Sequence, residues 1–283
     1  MGTQIGLSDK QLMAVAPSIF AKTPWEGVSQ RYAFIPTIDS VNALRDSGFV
    51  PVRAAQSKCR VAGKRDYTKH MIRFRSVADA TAYPSTPGVH NFFGKGKEPE
   101  IVEVVMSNAH DRSAAYHLDA GIFRMICSNG LVIASANFGS IHIHHSGKII
   151  DEVLKGAAEI IERAPRIQSQ VNSWRKLKLT DAQRLVLAEA ILINRYGMDE
   201  HDNLLSPVTP ASLLIERRPE DTARTLWVTT NVIQENIMRG DIIGLSRNGR
   251  RVRTRNITSV NAELDINRTV WATAGIMAER LAA

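Results

Sequence analysis

The hydrophobic period of this chain changes near Ser146, and no other sequence feature constrains the fold as strongly. Before Ser146, short runs alternate apolar and polar residues as strands do, and Gly, Asn and Pro turn signals separate them. After Ser146, apolar residues recur at helical spacing. The sequence therefore predicts an α+β fold with a strand-rich N-terminal half, 1–147, packed against a helical C-terminal half, 148–283. These halves form two modest domains or one integrated domain.

Turn and cap signals divide both halves into elements. Short helices are predicted at 9–15 and from about 37 onward. Strands are predicted at 50–61, 68–77, 101–107, 116–118 with 122–127, 131–135 and 140–144. Later helices are predicted from 149 to a break near Pro165, onward to 178, from a capping box at Thr180 to Gly197, and at 226–239 and 267–281.

Charge and cysteine content narrow the class of protein. The chain has 36 Lys and Arg against 28 Asp and Glu, a net charge of +8. Cys59 and Cys127 are its only cysteines, which excludes a disulfide framework or a cysteine zinc site and indicates a reducing compartment. It has neither an apolar run of about 20 residues nor a signal peptide at its N-terminus. We therefore predict a cytoplasmic protein that does not contact membranes.

The surplus positive charge is concentrated in two clusters. The first holds eight basic residues and one acidic residue, Asp66; the basic residues are Arg53, Lys58, Arg60, Lys64, Arg65, Lys69, Arg73 and Arg75. A turn at 63–66 followed by period-two alternation predicts a β-hairpin whose second strand places Lys69, Arg73 and Arg75 on one exposed face. Such a ribbon is suited to a phosphate backbone.

The second cluster has five arginines in nine residues without an acidic residue, namely Arg247, Arg250, Arg251, Arg253 and Arg255. Asn248-Gly249 predicts a type I′ turn between strands 242–247 and 250–255, within a hairpin at 242–256. Alternation then places Arg251, Arg253 and Arg255 on one face. Both clusters are read as nucleic-acid-binding surfaces, and the open alternative is that they are ordinary solvated faces.

An aromatic and basic segment lies between the clusters. Phe92, Phe93, Lys95 and Lys97 alternate with glycines in a predicted loop. Exposed rings beside cations can stack unpaired bases, so the segment is assigned to the nucleic-acid-binding surface. The alternative is that both rings fold back and anchor the loop.

Histidines offer a second chemistry. His110, Asp111, His142 and His144 form a candidate set for a divalent metal that would activate water for phosphodiester hydrolysis. Their spacing matches no established ligand motif, and the phosphate-loop, dinucleotide, nucleophile-elbow and HExxH signatures are missing. The primary prediction therefore includes no catalytic residue, no metal and no cofactor, and enzymatic activity is not expected.

Several longer motifs resemble a known family. They are Ser107-Asn108-Ala109-His110-Asp111-Arg112-Ser113, the stretch 120–131, Thr225-Leu226-Trp227, the stretch 231–240, and Thr254-Arg255 with Asn267-Arg268 and Trp271. Together they resemble the phage/plasmid-like protein family of unknown function, domain-of-unknown-function family nine-three-two. This chain has Arg112 and Ser113 where that pattern has Gly followed by Thr or Ser, so a tight glycine turn is not expected there.

The resemblance implies a protein carried by phages and plasmids among genes for DNA maintenance, with no established reaction. Combined with the basic clusters, it predicts nucleic-acid binding, foremost single-stranded DNA binding or strand annealing in recombination or replication. A homo-oligomer is expected by analogy with annealing proteins. The alternatives are a metal-dependent nuclease or phosphodiesterase, and an inhibitor of a host defence system that has a host protein as its target.

Overall fold

The computed structural model describes residues 5–26, 34–83, 100–124, 129–133, 140–143 and 148–282. Its backbone separates into two compact units: unit 1 is Met1–Ala164 with Ser259–Asn261, and unit 2 is Pro165–Thr258 with Ala262–Ala283. Strands in an antiparallel sheet occupy the N-terminal part and helices dominate the C-terminal part. The predicted α+β class is confirmed.

Unit 1 is built on one antiparallel sheet. Its strands are β1 (Phe49–Gln56), β2 (His70–Ser76), β3 (Glu100–Asn108), β4 (Tyr116–Arg124), β5 (Asn129–Ile133) and β6 (Ile141–Ile143). They follow the order β1-β2-β3-β4-β5, and β6 also pairs with β4. The predicted hairpin of the first basic cluster corresponds to β1 and β2, which pair from Phe49 opposite Ser76 to Gln56 opposite His70.

The helices of unit 1 follow local signals. Helix α1 (Asp9–Val15) begins at a capping box formed by Ser8 and Gln11. Helix α2 (Thr37–Asp46) comes before β1 in the chain, and helix α3 (Val77–Ala82) directly follows β2. On one sheet face, Ile72, Phe74, Val104, Met106 and Leu118 are buried and form part of the hydrophobic core.

Helix α4 (Ile149–Lys176) lies against that sheet through its first turns. A Cβ on Gly156 would lie 2.7 Å from Cδ1 of Leu118, so glycine permits the close approach of helix and strand.

The predicted helix break at Pro165 is wrong, because α4 continues to Lys176 with Pro165 inside it. An internal proline removes one helical hydrogen bond and costs about 3 kcal/mol. Beyond it, however, Ile167, Val171 and Trp174 repeat at helical spacing and are all buried. Burying side chains of this size contributes about 1.5–3 kcal/mol each, enough to outweigh the proline.

Unit 2 contains α5 (Asp181–Tyr196), α6 (Leu226–Arg239), α7 (Val260–Ala282) and a ribbon of β7 (Ile243–Leu245) and β8 (Arg251–Arg253). The predicted capping box of Thr180 and Gln183 is present, and α5 ends at Gly197 with φ 78°. Three tryptophans form the centre: the Trp174 ring lies 4.4 Å from that of Trp271 and 6.4 Å from that of Trp227.

Candidate nucleic-acid interface

The second basic cluster forms a folded ribbon, called here the arginine hairpin (residues 242–256). It begins directly after α6, which ends at Gly240 with φ 64°. A Cβ on Gly240 would lie 2.6 Å from the backbone carbonyl of Arg255, so the ends of the hairpin meet closely. The Asp241 amide donates to the Thr254 carbonyl at 2.8 Å, and the Thr254 amide donates to the Ile242 carbonyl at 2.9 Å. These bonds fix the base of the ribbon.

The turn of the hairpin differs from the predicted one. Ser246 pairs with Arg250, its amide donating to the Arg250 carbonyl at 2.8 Å, which leaves a three-residue loop of Arg247, Asn248 and Gly249. Gly249 has φ 70° and Asn248 does not have positive φ. A type I′ turn needs positive φ at both central residues, so that prediction is wrong; the loop has the three-residue form with glycine in the left-handed position.

The predicted alternation holds within β8, where Arg251 and Arg253 are exposed on one face and the less exposed Val252 lies between them. Arg255 is also exposed but lies beyond the end of the strand. The opposite face is covered, because a Cβ on Gly244 would overlap the carbonyl oxygen of Pro207. The Leu245 amide also donates to that carbonyl at 2.8 Å. The ribbon is thus held from behind, with its arginines directed toward solvent.

Acidic residues neutralise little of this charge. Arg253 forms an ion pair with Asp241, both of them exposed. Arg247 lies near Asp199, whose pKa is held below its ordinary value chiefly by the Asn203 amide and to a smaller extent by Arg247. Asp241 is the only acidic residue from 240 to 256. The hairpin consequently keeps a strong positive charge.

The first basic cluster is divided by the fold. Arg53 on β1 is exposed, as are Lys58, Arg60 and Arg65 in the connection between β1 and β2. Lys69 is half-buried. Lys64 forms an ion pair with Asp111 at 3.0 Å. Burial raises the pKa of Asp111, but hydrogen bonds from Ser113 and then the charge of Lys64 hold it below its ordinary value.

Arg73 and Arg75 are not exposed, contrary to the prediction; each is only 1% exposed. Both bind Glu103 on β3: Nε of Arg73 donates to Oε2, and Nε of Arg75 donates to Oε1 at 2.7 Å. The Phe123 ring lies 4.1 Å from the Arg75 guanidinium carbon. Alternation placed both arginines on one face correctly, but β2 is an inner strand with both faces covered, so that face does not meet solvent.

Space for this buried arginine pair comes from a glycine. A Cβ on Gly121 would lie 2.7 Å from a terminal nitrogen of Arg73 and 2.8 Å from Cγ2 of Val105. Gly121 belongs to the 120–131 stretch that carries the family resemblance. Its role in this structure is to admit a guanidinium beside the sheet.

The other face of β2 holds a buried hydrogen-bonded chain centred on Thr37. The Thr37 hydroxyl lies 2.9 Å from Nε2 of His70 and 3.0 Å from Nε2 of His110, and Asn108 donates to it at 3.2 Å. Nδ1 of His70 lies 2.8 Å from the hydroxyl of Ser18, which donates to the Gln56 side chain. We call these residues the histidine chain.

The partners dictate where the protons of the histidine chain lie. Nδ1 of His70 lies 3.3 Å from the Thr68 carbonyl oxygen. Because a carbonyl oxygen can only accept a hydrogen bond, Nδ1 carries the proton of the ring. Nε2 is then unprotonated and accepts a hydrogen bond from the Thr37 hydroxyl. Thr37 has one proton to donate, so Nε2 of His110 must donate to it. The His70 ring is neutral at pH 7. Burial, followed by the neighbouring His110, lowers the pKa of His70 from 6.5 to about 3.

Of the four candidate metal ligands, the three that the structure describes are not brought together. His110 is committed to the histidine chain and Asp111 to Lys64 and Ser113. His142 is on the opposite sheet face, where its ring centroid lies 4.0 Å from that of His117. Among the described residues, His, Cys, Asp and Glu form no group of three or more suited to a metal ion. His144 is outside the described residues, as are Phe92, Phe93, Lys95 and Lys97.

The polar residues of α6 have internal partners. Glu235 is buried and accepts from Arg218 at 2.6 and 2.7 Å, and it also pairs with Arg239 at 3.0 Å. Gln234 donates to Asn267 on α7 at 2.8 Å. Gln234 and Glu235 belong to the 231–240 stretch that carries the family resemblance, and in this structure they stabilise the packing of helices in unit 2.

Arg112 occupies the turn where the family pattern has glycine. Its φ is 65°, in the left-handed region. The tight turn is therefore retained without glycine, although this conformation costs a non-glycine residue about 1 kcal/mol.

Across the described residues, no helix combines the length and apolar character needed to cross a bilayer.

Comparisons with known proteins agree with the sequence motifs. UPF0380 protein YafZ of Escherichia coli (strain K12) is 33% identical over 275 residues, which cover 97% of this chain and 91% of that protein. UPF0380 protein YfjQ of the same strain is 32% identical over 275 residues, which again cover 97% of this chain and 91% of that protein. No solved structure matches the chain. The model of the family described as Domain of unknown function (DUF932) matches residues 24–274, and the chain therefore belongs to that family.

Proposed function

We propose that this protein binds nucleic acid through the arginine hairpin, and that the bound species is single-stranded DNA during recombination or replication. The observation that carries the proposal is the folded ribbon itself: Arg247, Arg250, Arg251, Arg253 and Arg255 are all exposed. A polyanion would bind to such a ribbon by releasing its condensed counterions.

The geometry of the hairpin supports this use of its charge. Alternate residues on a strand are about 6.6 Å apart, so Arg251 and Arg253 on β8 present two guanidinium groups on one face, and exposed Arg255 follows just beyond the strand. Arginine donates in a planar fork that matches phosphate oxygens. Because Gly240 and Gly244 allow close packing at the base and back of the ribbon, its backbone needs little further ordering on binding.

The first basic cluster contributes less than its sequence suggests. Arg73 and Arg75 are removed from the proposed surface because Glu103 binds them internally. Arg53, Lys58, Arg60 and Arg65 remain exposed and are proposed as a separate set of nucleic-acid contacts on unit 1. Strand annealing and assembly into a homo-oligomer remain part of the proposal.

The decisive experiment measures binding to labelled single-stranded and double-stranded oligonucleotides across a salt series. For five phosphate contacts on a single strand, the slope of log affinity against log salt should be about −3.5. The double variant Arg251→Gln/Arg255→Gln should reduce the magnitude of that slope by about 1.4. It leaves the Arg253–Asp241 pair intact.

The matched control is Arg166→Gln/Arg280→Gln, which removes the same charge from exposed positions on the helices of unit 2. We expect the control to leave the slope within experimental error of the parent protein. Equal effects of the two double variants, or binding that does not respond to salt, would refute the role of the hairpin.

A further inference from the structure

The outer face of the arginine hairpin also exposes two large apolar side chains. Ile243 is 46% exposed and Leu245 is 62% exposed. The register of the ribbon places Ile243 directly opposite Arg253 and Leu245 directly opposite Arg251. Each exposed arginine of β8 therefore has an aliphatic side chain beside it on the same face.

The fold holds these apolar residues outward. A one-residue slip in register would turn Ile243 and Leu245 to the covered face. That slip is blocked at Gly244, where any side chain would overlap Pro207, and by the bond from the Leu245 amide to the Pro207 carbonyl. Both apolar side chains thus face solvent at fixed positions among the cations.

The composition of this face limits what can cover it. Five exposed arginines on the hairpin attract a polyanion. Ile243 and Leu245 gain free energy only against an apolar surface. Free phosphate has no such surface, and a duplex stacks its bases inside and presents phosphates outside. An unpaired strand offers both a polyanion and an apolar surface, because the flat faces of its bases are accessible next to each phosphate.

We infer that the outer face of the arginine hairpin selects unpaired nucleic acid, with Arg251 and Arg253 on successive phosphates and Ile243 and Leu245 against the faces of the intervening bases. This inference rests on the proposed function and adds the source of preference for a single strand. Ile243 and Leu245 distinguish an unpaired strand from a duplex, and the arginines supply the salt-dependent attraction to phosphates.

The test compares three probes at one salt concentration: a single-stranded oligonucleotide, an abasic strand of the same length, and the corresponding duplex. The parent protein should bind the base-bearing strand about tenfold more tightly than the abasic strand or the duplex. Ile243→Thr/Leu245→Thr should remove most of that difference. Threonine retains strand propensity and leaves every arginine in place.

The control is Ile215→Thr/Ile276→Thr, which alters apolar side chains that are 59% and 57% exposed elsewhere in unit 2. It should retain the preference for bases. Salt slopes should be unchanged in both double variants, because neither removes a phosphate contact.

Equal affinity of the parent protein for base-bearing and abasic strands would overturn the inference and leave the proposed function intact. Tighter binding to duplex, or to vesicles containing anionic phospholipid, would also overturn it. Absence of salt-dependent binding to all nucleic acids would refute the proposed function as well. The parent protein alone provides the base-versus-abasic comparison, so the test remains decisive even if the threonine variant does not fold.

Discussion

Strands β2 and β8 carry almost the same tripeptide and place it in opposite environments. Arg73-Phe74-Arg75 on β2 is buried, whereas both arginines of Arg251-Val252-Arg253 on β8 are exposed. β2 lies between two strands, and Glu103 on β3 reaches both of its arginines. β8 belongs to a two-stranded ribbon. An arginine pair on a strand therefore indicates a binding surface only when the number of neighbouring strands is known.

The largest expected effect comes from removing the carboxylate that makes the two environments differ. Glu103→Ala would leave Arg73 and Arg75 buried without their shared counterion. Breaking a buried ion pair from one side costs about 3–5 kcal/mol, so we expect a loss of this size in the free energy of unfolding by urea.

Its counterpart in the hairpin is Asp241→Asn, which removes the charge bound to exposed Arg253 and, unlike alanine, tolerates the left-handed φ of 60° at this position. An exposed ion pair contributes about 0.2–1 kcal/mol, so stability should fall by no more than that. Comparable losses for the two variants would show that the environments of the arginine pairs do not differ as described.

Acid should destabilise the protein through His70, which lies on the face of β2 opposite Arg73 and Arg75. His70 has a pKa of about 3 when folded and 6.5 when unfolded, so the unfolded chain binds the extra proton between these values. The stability that the folded protein gains from a neutral His70 is complete above pH 6.5 and is lost progressively as the pH falls toward 3. At pH 5 the loss should be about 2 kcal/mol, measured by urea unfolding at a series of pH values.

The variant His70→Gln should flatten that pH dependence. The matched control is His201→Gln, because His201 is exposed and outside the histidine chain. A pH dependence that persists in His70→Gln would show that the histidine chain does not bind its protons as the hydrogen bonds indicate.

A smaller effect is expected at the glycine beside Arg73. Gly121→Ala would place a methyl group against the guanidinium and Val105, and overpacking of this kind costs about 1–3 kcal/mol. Thermal unfolding should show the decrease. In Gly275→Ala, on α7, the new methyl lies 3.9 Å from the Trp174 ring of α4, so helix propensity should make that control neutral or stabilising.

The smallest effect should be on binding. Asp241→Asn would remove the carboxylate that competes with a phosphate for Arg253. We expect the affinity for a single strand to rise about two- to threefold at low salt, and the gain to vanish at high salt. Unchanged affinity would indicate that Arg253 does not contact the strand.

Much of the fold followed from local patterns. The capping box at Thr180, the helix end at Gly197 and the hairpin after Gly240 were all predicted from neighbouring residues. Helix α7 was predicted from 267 but begins at Val260. The spacing of Val260, Glu263, Leu264 and Asn267 was a helical signal that would have located its start.

The candidate site was predicted less completely. The outward arginines of β8 were identified because alternation and a turn signal are properties of adjacent residues. Ile243 and Leu245 were missed because their exposure depends on contacts of Gly244 with Pro207, which lies 37 residues earlier. Arg73 and Arg75 were misassigned because their carboxylate, Glu103, follows them by about 30 positions.

By itself, the sequence determined the order and type of the main elements, the phase of each alternation and membership of the family, because these depend on residue spacing along the chain. The tertiary structure alone decided which arginines meet solvent, that the pKa of His70 is lowered and which apolar residues stay exposed. Burial and pairing depend on how many strands and helices surround a side chain, and those neighbours come from distant parts of the sequence.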